Sequence, residues 1–281
     1  MAEAVIEVDN LVKTFPDPNG RPVKVLDRIN LKAFRGETLV IMGGSGCGKS
    51  TLLNCMIGEY PVDEGRVLLF GQDITTMDEQ QLNETRKKFG ILFQSGALFN
   101  SMTLGENVAL PLREHSDIDP SVINIIVTMK LEQVRMLPHR DKMPSQLSGG
   151  QKKRGGLARA TALDPEILFY DEPSAGLDPV TSAAIDELIL SLTKKLGVTS
   201  VVVTHEMSSA FRIADRMVML HAGRVLREGT RDEFDRLRKA DPKSLENPQD
   251  RLIRQFLLGE GAGPLTDVQG LSEYENLLAS G

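Results

Sequence analysis

The 281-residue sequence predicts an α/β fold built around a parallel sheet, and three apolar runs support that prediction. The run at residues 38–42 leads into a glycine-rich loop and then into a helix-like segment, 52–57. A second run ends in two carboxylates, Asp171 and Glu172. The third, 198–204, is continuous and rich in β-branched residues, as is typical of a strand buried on both faces of a parallel sheet.

Composition and charge fit a globular protein, with 41% hydrophobic and 26% charged residues. No apolar run approaches the roughly 18 residues that span a bilayer, and the N-terminus lacks the pattern of a signal peptide. We therefore expect the chain in the cytosol unless a partner holds it at a membrane. The net charge of −6 predicts no nucleic-acid partner. Two cysteines, Cys47 and Cys55, suit a reducing compartment rather than a disulfide framework.

The glycine-rich loop follows the first apolar run and opens a helix, which is the context of a phosphate-binding loop. Its glycines let backbone N–H groups turn inward, and the helix dipole adds positive potential. Lys49 supplies a point charge, and Ser50 offers a hydroxyl to Mg²⁺. The full pattern argues against an ordinary glycine turn. The predicted nucleotide-binding residues are Gly43, Gly44, Ser45, Gly46, Cys47, Gly48, Lys49, Ser50 and Thr51.

Two short strands are predicted ahead of the loop, at 5–8 and 26–33, with a turn-rich segment at 16–20. Phe15 lies between them. An exposed ring there could stack on a nucleotide base, because every base has a π-face. Taken alone, however, a phenylalanine at this position is more often part of the core.

Between the loop and residue 93 the pattern predicts a strand at 65–71, a polar helix at 77–88 and a buried strand at 89–93. The last of these ends at Gln94. A glutamine in this place is usually a solvated loop residue. If the strand points at the nucleotide, the side-chain oxygen could instead reach a metal ion or a water molecule.

From residue 95 to 146 the strand signal disappears, which predicts a helical insertion with room to contact another protein. Asp119 and Pro120 have the order of an N-cap followed by proline at the first helical position, and apolar residues recur at helical spacing over 121–136. The insertion ends in a polar glycine turn, 147–151, before a basic helical run. This second helix N-terminus could bind an anion, although such turns are common in ordinary loops.

The strand that ends in two acids predicts a metal-binding carboxylate beside the phosphate loop. That role goes to Asp171. Glu172 points differently, because successive strand side chains alternate, and it could polarise an attacking water molecule. A solvated turn is the ordinary alternative, which the phosphate loop disfavours. The third strand ends at His205, where open α/β sheets bind their ligands, so this histidine could donate a hydrogen bond to the γ-phosphate.

The C-terminal part predicts a helix that starts after Asp178 and Pro179 and ends at Gly197, followed by a hairpin at 217–228. From about residue 230 the character changes. Residues 241–281 carry seven acids against three bases and a helix-like segment at 250–258. This tail either is partly disordered or docks its few apolar residues on a neighbouring subunit.

Six motifs resemble the nucleotide-binding subunits of ABC transporters over about residues 5–230. In chain order they are the phosphate loop 43–51, Gln94, the signature 147–151, the strand end 169–172, the segment 176–178 and His205. The resemblance implies ATP and Mg²⁺ as cofactors and a homodimer that holds each ATP between the phosphate loop of one chain and the signature of the other. It implies metal ligation by Ser50, Gln94 and Asp171, catalysis by Glu172 and His205, adenine stacking by Phe15, a D-loop that contains Asp178, and a signature that acts in trans through Leu147, Ser148, Gly149, Gly150 and Gln151.

The same resemblance implies the ABC ATPase fold, with a RecA-like mixed-sheet core, an antiparallel β subdomain and a helical signature subdomain. The expected division is an ATPase domain at 1–230, with its helical subdomain at about 95–163, and a C-terminal helical extension and tail at 231–281. One departure is Gly155-Gly156, where the family has better helix formers. These glycines could cost their helix roughly 1–2 kcal/mol of stability relative to alanines, and the sequence gives no functional reason for them.

A finer resemblance lies around Gln94. The segments 92–99 and 106–115 are similar to the ATPases of Mla/Mce-type lipid transport systems. This similarity implies phospholipid transport across a diderm envelope, at the cytoplasmic face of the inner membrane. The implied partners are a permease dimer that holds the ATPase at the membrane, an MCE-domain lipid-binding protein and, in some systems, a small STAS-domain protein.

Three other functions stay open. The chain could serve an ABC transporter for another cargo, such as amino acids or lipoproteins. It could be a soluble ABC protein without a transport role, although translation factors of this type carry two cassettes and this chain carries one. It could also be a regulatory module that binds ATP without hydrolysing it, which the complete set of acids and histidine disfavours.

Overall fold

A computed structural model describes residues 3–261, and two sheets organise it. The antiparallel sheet has the order β2-β1-β4-β5, and its strands are β1 (Ala4–Pro16), β2 (Pro22–Phe34), β4 (Glu64–Leu69) and β5 (Gln72–Asp73). The larger sheet has the order β10-β9-β3-β8-β7-β6, and its strands are β3 (Thr38–Gly43), β6 (Phe89–Leu92), β7 (Ile167–Asp171), β8 (Thr199–Thr204), β9 (Arg216–His221) and β10 (Arg224–Thr230).

The larger sheet is mixed. The five strands β9, β3, β8, β7 and β6 run parallel to one another. The edge strand β10 pairs antiparallel with β9 through the predicted hairpin. Every residue of β3 and β8 is buried, as their continuous apolar and β-branched sequences predict. Because β8 lies between β3 and β7, the carboxyl ends of these three strands meet at one edge of the sheet.

Nine α-helices surround the sheets within residues 3–261. They are α1 (Lys49–Met56), α2 (Glu79–Arg86), α3 (Leu104–His115), α4 (Pro120–Gln133), α5 (Gly149–Ala160), α6 (Pro179–Leu196), α7 (Met207–Ile213), α8 (Arg231–Lys239) and α9 (Pro248–Leu258). The caps follow the sequence signals. Asp119 caps α4 and Asp178 caps α6, each with proline next, and Gly197 ends α6 in the left-handed conformation at φ 67°.

The helical insertion packs as a unit beside the core sheet. Helices α3, α4 and α5 contact one another, and their buried apolar residues include Val108, Val127 and Leu157. At the other end of the chain, α8 packs on α9, with Phe234 and Leu257 buried in the same core. The limits 95–163 and 230 for the subdomains stay predictions.

The two glycines in α5 have a packing reason. A Cβ on Gly156 would lie 2.6 Å from the carbonyl oxygen of Gly96 and 3.0 Å from Leu92 Cδ1. A Cβ on Gly155 would lie 2.5 Å from the terminal Cδ1 of Leu104. The glycines therefore let α5 lie directly against the segment that follows Gln94, which accounts for the helix propensity they sacrifice.

Within the part of the chain that the structure describes, no helix is both long and apolar enough to span a membrane. The predicted helix at 250–258 is present as α9. The remainder of the predicted tail, including Leu271, Leu277 and Leu278, lies outside the described residues.

Candidate nucleotide-binding and hydrolysis site

A cleft of about 1050 Å³ opens where the carboxyl ends of β3, β7 and β8 meet. The phosphate loop forms one side of it, and Glu172 and His205 lie at the other strand ends. Its lining consists of Val25, Gly44, Ser45, Gly46, Gly48, Lys49, Ser50, Thr51, Gln94, Glu172, His205, Met207 and residues 255–260. Sequence-distant motifs are thus gathered around a single space that is large enough for a nucleotide.

The conformation of the phosphate loop depends on its glycines and on hydrogen bonds from its lysine. Gly48 caps α1 in the left-handed region at φ 105°, and a Cβ there would lie 2.6 Å from Leu26 Cδ2. Lys49 Nζ donates hydrogen bonds to the carbonyl oxygens of Gly43 at 2.9 Å and Gly44 at 3.1 Å. This places a buried ammonium over the N-terminus of α1, which is the arrangement that attracts a phosphate group.

Ser50 and Asp171 bring two side-chain oxygen atoms together beside the loop. Ser50 Oγ donates to Asp171 Oδ1 at 3.4 Å. Burial raises the pKa of Asp171, and the neighbouring charge of Glu172 adds to that shift. A divalent cation would favour the ionised carboxylate, and Mg²⁺ prefers such oxygen ligands together with phosphate oxygens. Gln94 lines the same cleft. These residues therefore fit a magnesium ion bound with nucleotide.

Three or more His, Cys, Asp or Glu side chains do not cluster into a metal site anywhere in residues 3–261. Mg²⁺ at a phosphate site does not need such a cluster, because it uses one or two carboxylates and takes its other ligands from phosphate and water.

Glu172 is fixed in an unusual conformation next to His205. Its backbone has φ 47°, which is rare for a residue with a side chain. Its Oε2 accepts hydrogen bonds from Thr204 Oγ1 at 3.2 Å and from the His205 N–H at 3.4 Å. Its Oε1 lies 2.8 Å from His205 Nδ1. The carboxylate is therefore held at the cleft by three contacts with the end of β8.

Lys153 is a neighbour of this site that the sequence did not reveal. Its ammonium is buried, and Nζ donates a hydrogen bond to the carbonyl oxygen of Glu172 at 2.8 Å. Burial lowers the pKa of Lys153, while the charges of Glu172, Glu206 and Asp171 oppose that shift. The basic run after the signature predicted a helix but gave no sign that one of its lysines turns inward.

The signature residues 147–151 lie at the N-terminus of α5, where Ser148 and Gly149 are exposed and Leu147 and Gly150 are buried. Ser148 caps the helix in a capping box, in which Ser148 Oγ accepts from the Gln151 N–H and Gln151 Oε1 accepts from the Ser148 N–H. Gln151 Nε2 also lies 3.1 Å from His139 Nε2. None of residues 147–151 lines the cleft that the phosphate loop forms. The structure therefore separates the two predicted anion sites within one chain.

The side chains of Asp178 and Phe15 both contact other residues of the same chain. Asp178 Oδ1 accepts from the backbone N–H groups of Val180 and Thr181, and the hydrogen bonds from Thr181 lower its pKa. Phe15 is half-buried and meets Tyr60 edge to face at 5.5 Å between ring centroids. It does not line the cleft, where Val25 lies instead. Adenine stacking by Phe15 stays a prediction.

The end of α9 also lines the cleft, through residues 255–260, and Met207 lies beside them. The sequence predicted the helix but not its place, because no local pattern says where a C-terminal helix packs. Burial of Ile253 and Leu257 against the core brings the helix end to the cleft.

Comparison with known proteins agrees with this geometry. The sequence profile of the ABC transporter family matches residues 26–175. An intermembrane phospholipid transport system ATP-binding protein, MlaF of Haemophilus influenzae, is 41% identical over 274 residues, which cover 98% of each chain. The probable ribonucleotide transport ATP-binding protein mkl of Mycobacterium leprae is 38% identical over 271 residues, 96% of this chain and 72% of that protein.

A solved structure gives the same result for the fold. The dimeric, post-hydrolysis structure of the ATP-binding cassette MJ0796, bound to ADP and Pi, has a TM-score of 0.74 and 32% identity, and it covers 80% of this chain and 98% of the other. The predicted ABC ATPase fold is thereby confirmed. This chain belongs to the ABC transporter family and is the ATP-binding, ATP-hydrolysing subunit of a transport system.

Proposed function

We propose that two copies of this chain form a nucleotide-sandwich homodimer whose ATP hydrolysis powers phospholipid transport across the envelope of a diderm bacterium. The position of the signature is the observation that supports the dimer. Residues 147–151 lie at the N-terminus of α5, which begins at Gly149, and none of them lines the cleft beside their own phosphate loop. A twofold dimer brings each signature to the partner's cleft, which makes two equivalent sites from one self-complementary surface.

The chain's own residues divide the chemistry. Lys49 leaves the loop carbonyls to pair with the phosphates, and the partner's Ser148 hydroxyl and Gly149 N–H close over the γ-phosphate at the N-terminus of α5. Glu172 orients the attacking water and accepts its proton. His205 contacts Glu172 through Nδ1, and its Nε2 makes no hydrogen bond to any residue from 3 to 261, so that nitrogen is available to the γ-phosphate.

Ser50, Gln94 and Asp171 would hold Mg²⁺, which neutralises charge on the β- and γ-phosphates when it is bound. This assignment rests on the 3.4 Å contact between Ser50 and Asp171 and on the place of Gln94 in the cleft.

Mixed dimers test the composite site. We expect a Glu172→Gln homodimer to lose hydrolysis by about 100-fold or more and to keep ATP binding. The informative pair combines that change with Ser148→Arg. When the two substitutions lie on different chains, one composite site carries both changes and the other stays intact. When they lie on one chain, both sites are damaged.

Single-turnover hydrolysis by purified heterodimers reads the outcome. We expect one ADP per dimer from the arrangement on different chains and almost none from the arrangement on one chain. The opposite result would mean that each chain uses its own signature, and near-normal turnover of the Glu172→Gln homodimer would remove Glu172 from the mechanism.

The permease is proposed to dock in a groove of about 660 Å³ between the core sheet and the helical insertion. Phe93, Pro111, His115 and Arg159 are among the residues that line it. Arg159 donates to the carbonyl oxygen of Ala97 at 2.6 Å but has no carboxylate partner within residues 3–261, and burial lowers its pKa. A permease segment that brings a carboxylate to Arg159 would compensate the charge of this half-buried side chain.

Through the permease, the chain would be held at the cytoplasmic face of the inner membrane. An MCE-domain lipid-binding protein and a small STAS-domain protein complete the proposed complex. The relative MlaF is named for intermembrane phospholipid transport, which supports phospholipid as the cargo, whereas mkl is named for probable ribonucleotide transport, which favours a ribonucleotide.

Purification of the native complex from membranes decides between these cargoes. We expect mass spectrometry to find phospholipid in stoichiometric amounts, together with a permease and an MCE-domain protein. Ribonucleotide, amino acid or lipoprotein in place of phospholipid would overturn the lipid assignment and leave the ATPase assignment intact.

A further inference from the structure

Lys153 is the least exposed of four lysines that the described chain buries, at 4%. Lys13 and Lys130 form ion pairs with Asp63 and Asp164. Lys49 covers the phosphate loop, where an anionic ligand is expected. Lys153 has no ion pair within 4.0 Å in residues 3–261, and its hydrogen bond goes to a backbone carbonyl. Burial of an ammonium without an ion pair costs free energy. We therefore ask what the hydrogen bond from Lys153 to this carbonyl contributes.

The carbonyl in question belongs to Glu172. Its oxygen accepts from Lys153 Nζ at 2.8 Å and from the Ala175 N–H at 3.2 Å. On the other side of the residue, the Glu172 N–H donates to the carbonyl oxygen of Val203 at 2.9 Å. The backbone of Glu172 is thus tied on both sides while it holds φ 47°.

That conformation needs support. A left-handed backbone at a residue with a side chain costs on the order of 1 kcal/mol, and it persists where surrounding contacts impose it. Here the conformation turns the carboxylate towards Thr204 and His205. Loss of one tie would let the peptide relax and would displace the carboxylate from the cleft.

We propose that Lys153 is a positioning residue that holds the backbone of Glu172 and couples the signature helix α5 to the hydrolytic carboxylate of the same chain. The inference rests on the proposed role of Glu172. Lys153 lies two residues after the signature 147–151, on the same helix, and the signature is proposed to serve the partner's nucleotide. A shift of α5 when it closes over one ATP therefore changes the position of Glu172 at the other ATP.

The first test measures steady-state hydrolysis by the full chain. Lys153→Met removes the donor and keeps the volume. Because displacement of a catalytic group by about 1 Å can cost up to ~100-fold, we expect kcat to fall at least about tenfold with KM for ATP within about threefold. Lys153→Arg keeps a charged donor and should recover most of kcat. Lys130→Met is the matched control, since it removes another buried lysine of the same helical insertion, far from Glu172 in the hydrogen-bond network.

Thermal unfolding separates this role from packing. Both methionine variants should lose some stability, but Lys130→Met should keep its kcat. If Lys153→Met loses only stability, or if Lys130→Met loses kcat equally, the inference is wrong. Should Lys153→Met fail to fold, Lys153→Gln removes the charge and shortens the side chain by one atom, so kcat should again fall, and normal kcat with unchanged KM would contradict the positioning role.

Mixed dimers show which site Lys153 serves. With Lys153→Met on one chain and Glu172→Gln on the other, the only intact Glu172 lies on the chain that has lost Lys153. We expect turnover about tenfold below that of a heterodimer in which one chain carries Glu172→Gln and the other is unchanged. With both changes on one chain, the surviving site should be normal. The reverse pattern would mean that Lys153 acts through the signature on the partner's site.

The two proposals fail in different ways. If the Glu172→Gln homodimer hydrolyses ATP normally, the role of Glu172 fails and this inference fails with it. If that homodimer is inactive and Lys153→Met has normal kcat, only the positioning role of Lys153 is lost.

Discussion

Both cysteines lie in or beside the phosphate loop, and burial controls their chemistry. Cys47 is 7% exposed and Cys55 is 1% exposed. Burial raises the pKa of Cys47, and it raises the pKa of Cys55 to about 11 from an ordinary value of 9.0. Because the thiolate is the reactive form, both groups should be poor nucleophiles at neutral pH.

Alkylation of the full chain with iodoacetamide checks this expectation. At pH 7.5 the folded chain should stay unlabelled for a period that labels the chain in urea completely. Labelling of folded Cys55 should rise mainly above pH 9, because a raised pKa delays ionisation to the window between 9.0 and about 11. Mass spectrometry locates the label, and rapid modification of Cys55 at pH 7.5 without unfolding would contradict the argument.

Single residues also show where sequence reasoning stops. Lys49 and Ser50 line the cleft and Asp171 contacts Ser50 beside it, because their motifs lie at the carboxyl ends of strands of the same sheet. The contact from Lys153 to the Glu172 carbonyl could not be predicted. It depends on a backbone angle and on the packing of a helix, and neither leaves a pattern in the sequence.

At the scale of an element, α5 shows packing overriding helix propensity. Alanine in place of glycine would favour the helix by about 1 kcal/mol at each position. At Gly156 the added Cβ meets backbone, the carbonyl oxygen of Gly96 at 2.6 Å, which cannot rotate away. At Gly155 it meets the terminal methyl of Leu104, which can change rotamer. The two positions therefore differ in the cost of the same substitution.

We expect Gly156→Ala to lower Tm, because overpacking of about 1–3 kcal/mol outweighs the gain in helix propensity. The net loss should be about 2–6 °C for a chain of this size. Gly155→Ala is the matched control and should change Tm by less than half as much. Differential scanning calorimetry of the two variants compares them, and equal or higher stability of Gly156→Ala would show that α5 does not need its close approach to Gly96.

Elements with local signals were predicted well, and elements with irregular pairing were not. The caps of α4 and α6 and the hairpin of β9 and β10 follow directly from residue types. Strand β1 was predicted only over residues 5–8, yet it runs through Ala4–Pro16. Its pairing with β2 shifts register several times, which interrupts the alternation of apolar and polar residues that marks a strand.

At the scale of the whole molecule, motif order predicted which segments come together but not what surrounds them. The phosphate loop, the acids after β7 and the histidine after β8 converge because parallel strands end at one edge. The approach of residues 255–260 to the same cleft was not predicted. It follows from how α8 and α9 bury apolar residues in the common core, which is a property of the complete fold.

The groove between core and helical insertion gives the last prediction, which concerns association with the membrane complex. Phe93 lines the groove with 37% of its surface exposed, so Phe93→Asp would place a charge where an apolar contact with the permease is proposed. We expect the variant to lose co-purification with the permease by tenfold or more, an effect of about 1.4 kcal/mol or greater. Stabilisation of the isolated chain by ATP should remain.

Ile125→Asp is the matched control. Ile125 lies on α4 with 58% of its surface exposed and does not line the groove. The same change of an exposed apolar residue to aspartate should leave permease association unchanged, because its charge stays in solvent or meets a different partner. If both variants detach equally, the loss reports general damage. If Phe93→Asp stays bound, the permease docks elsewhere, and the half-buried Arg159 keeps its uncompensated charge for a reason other than this partner.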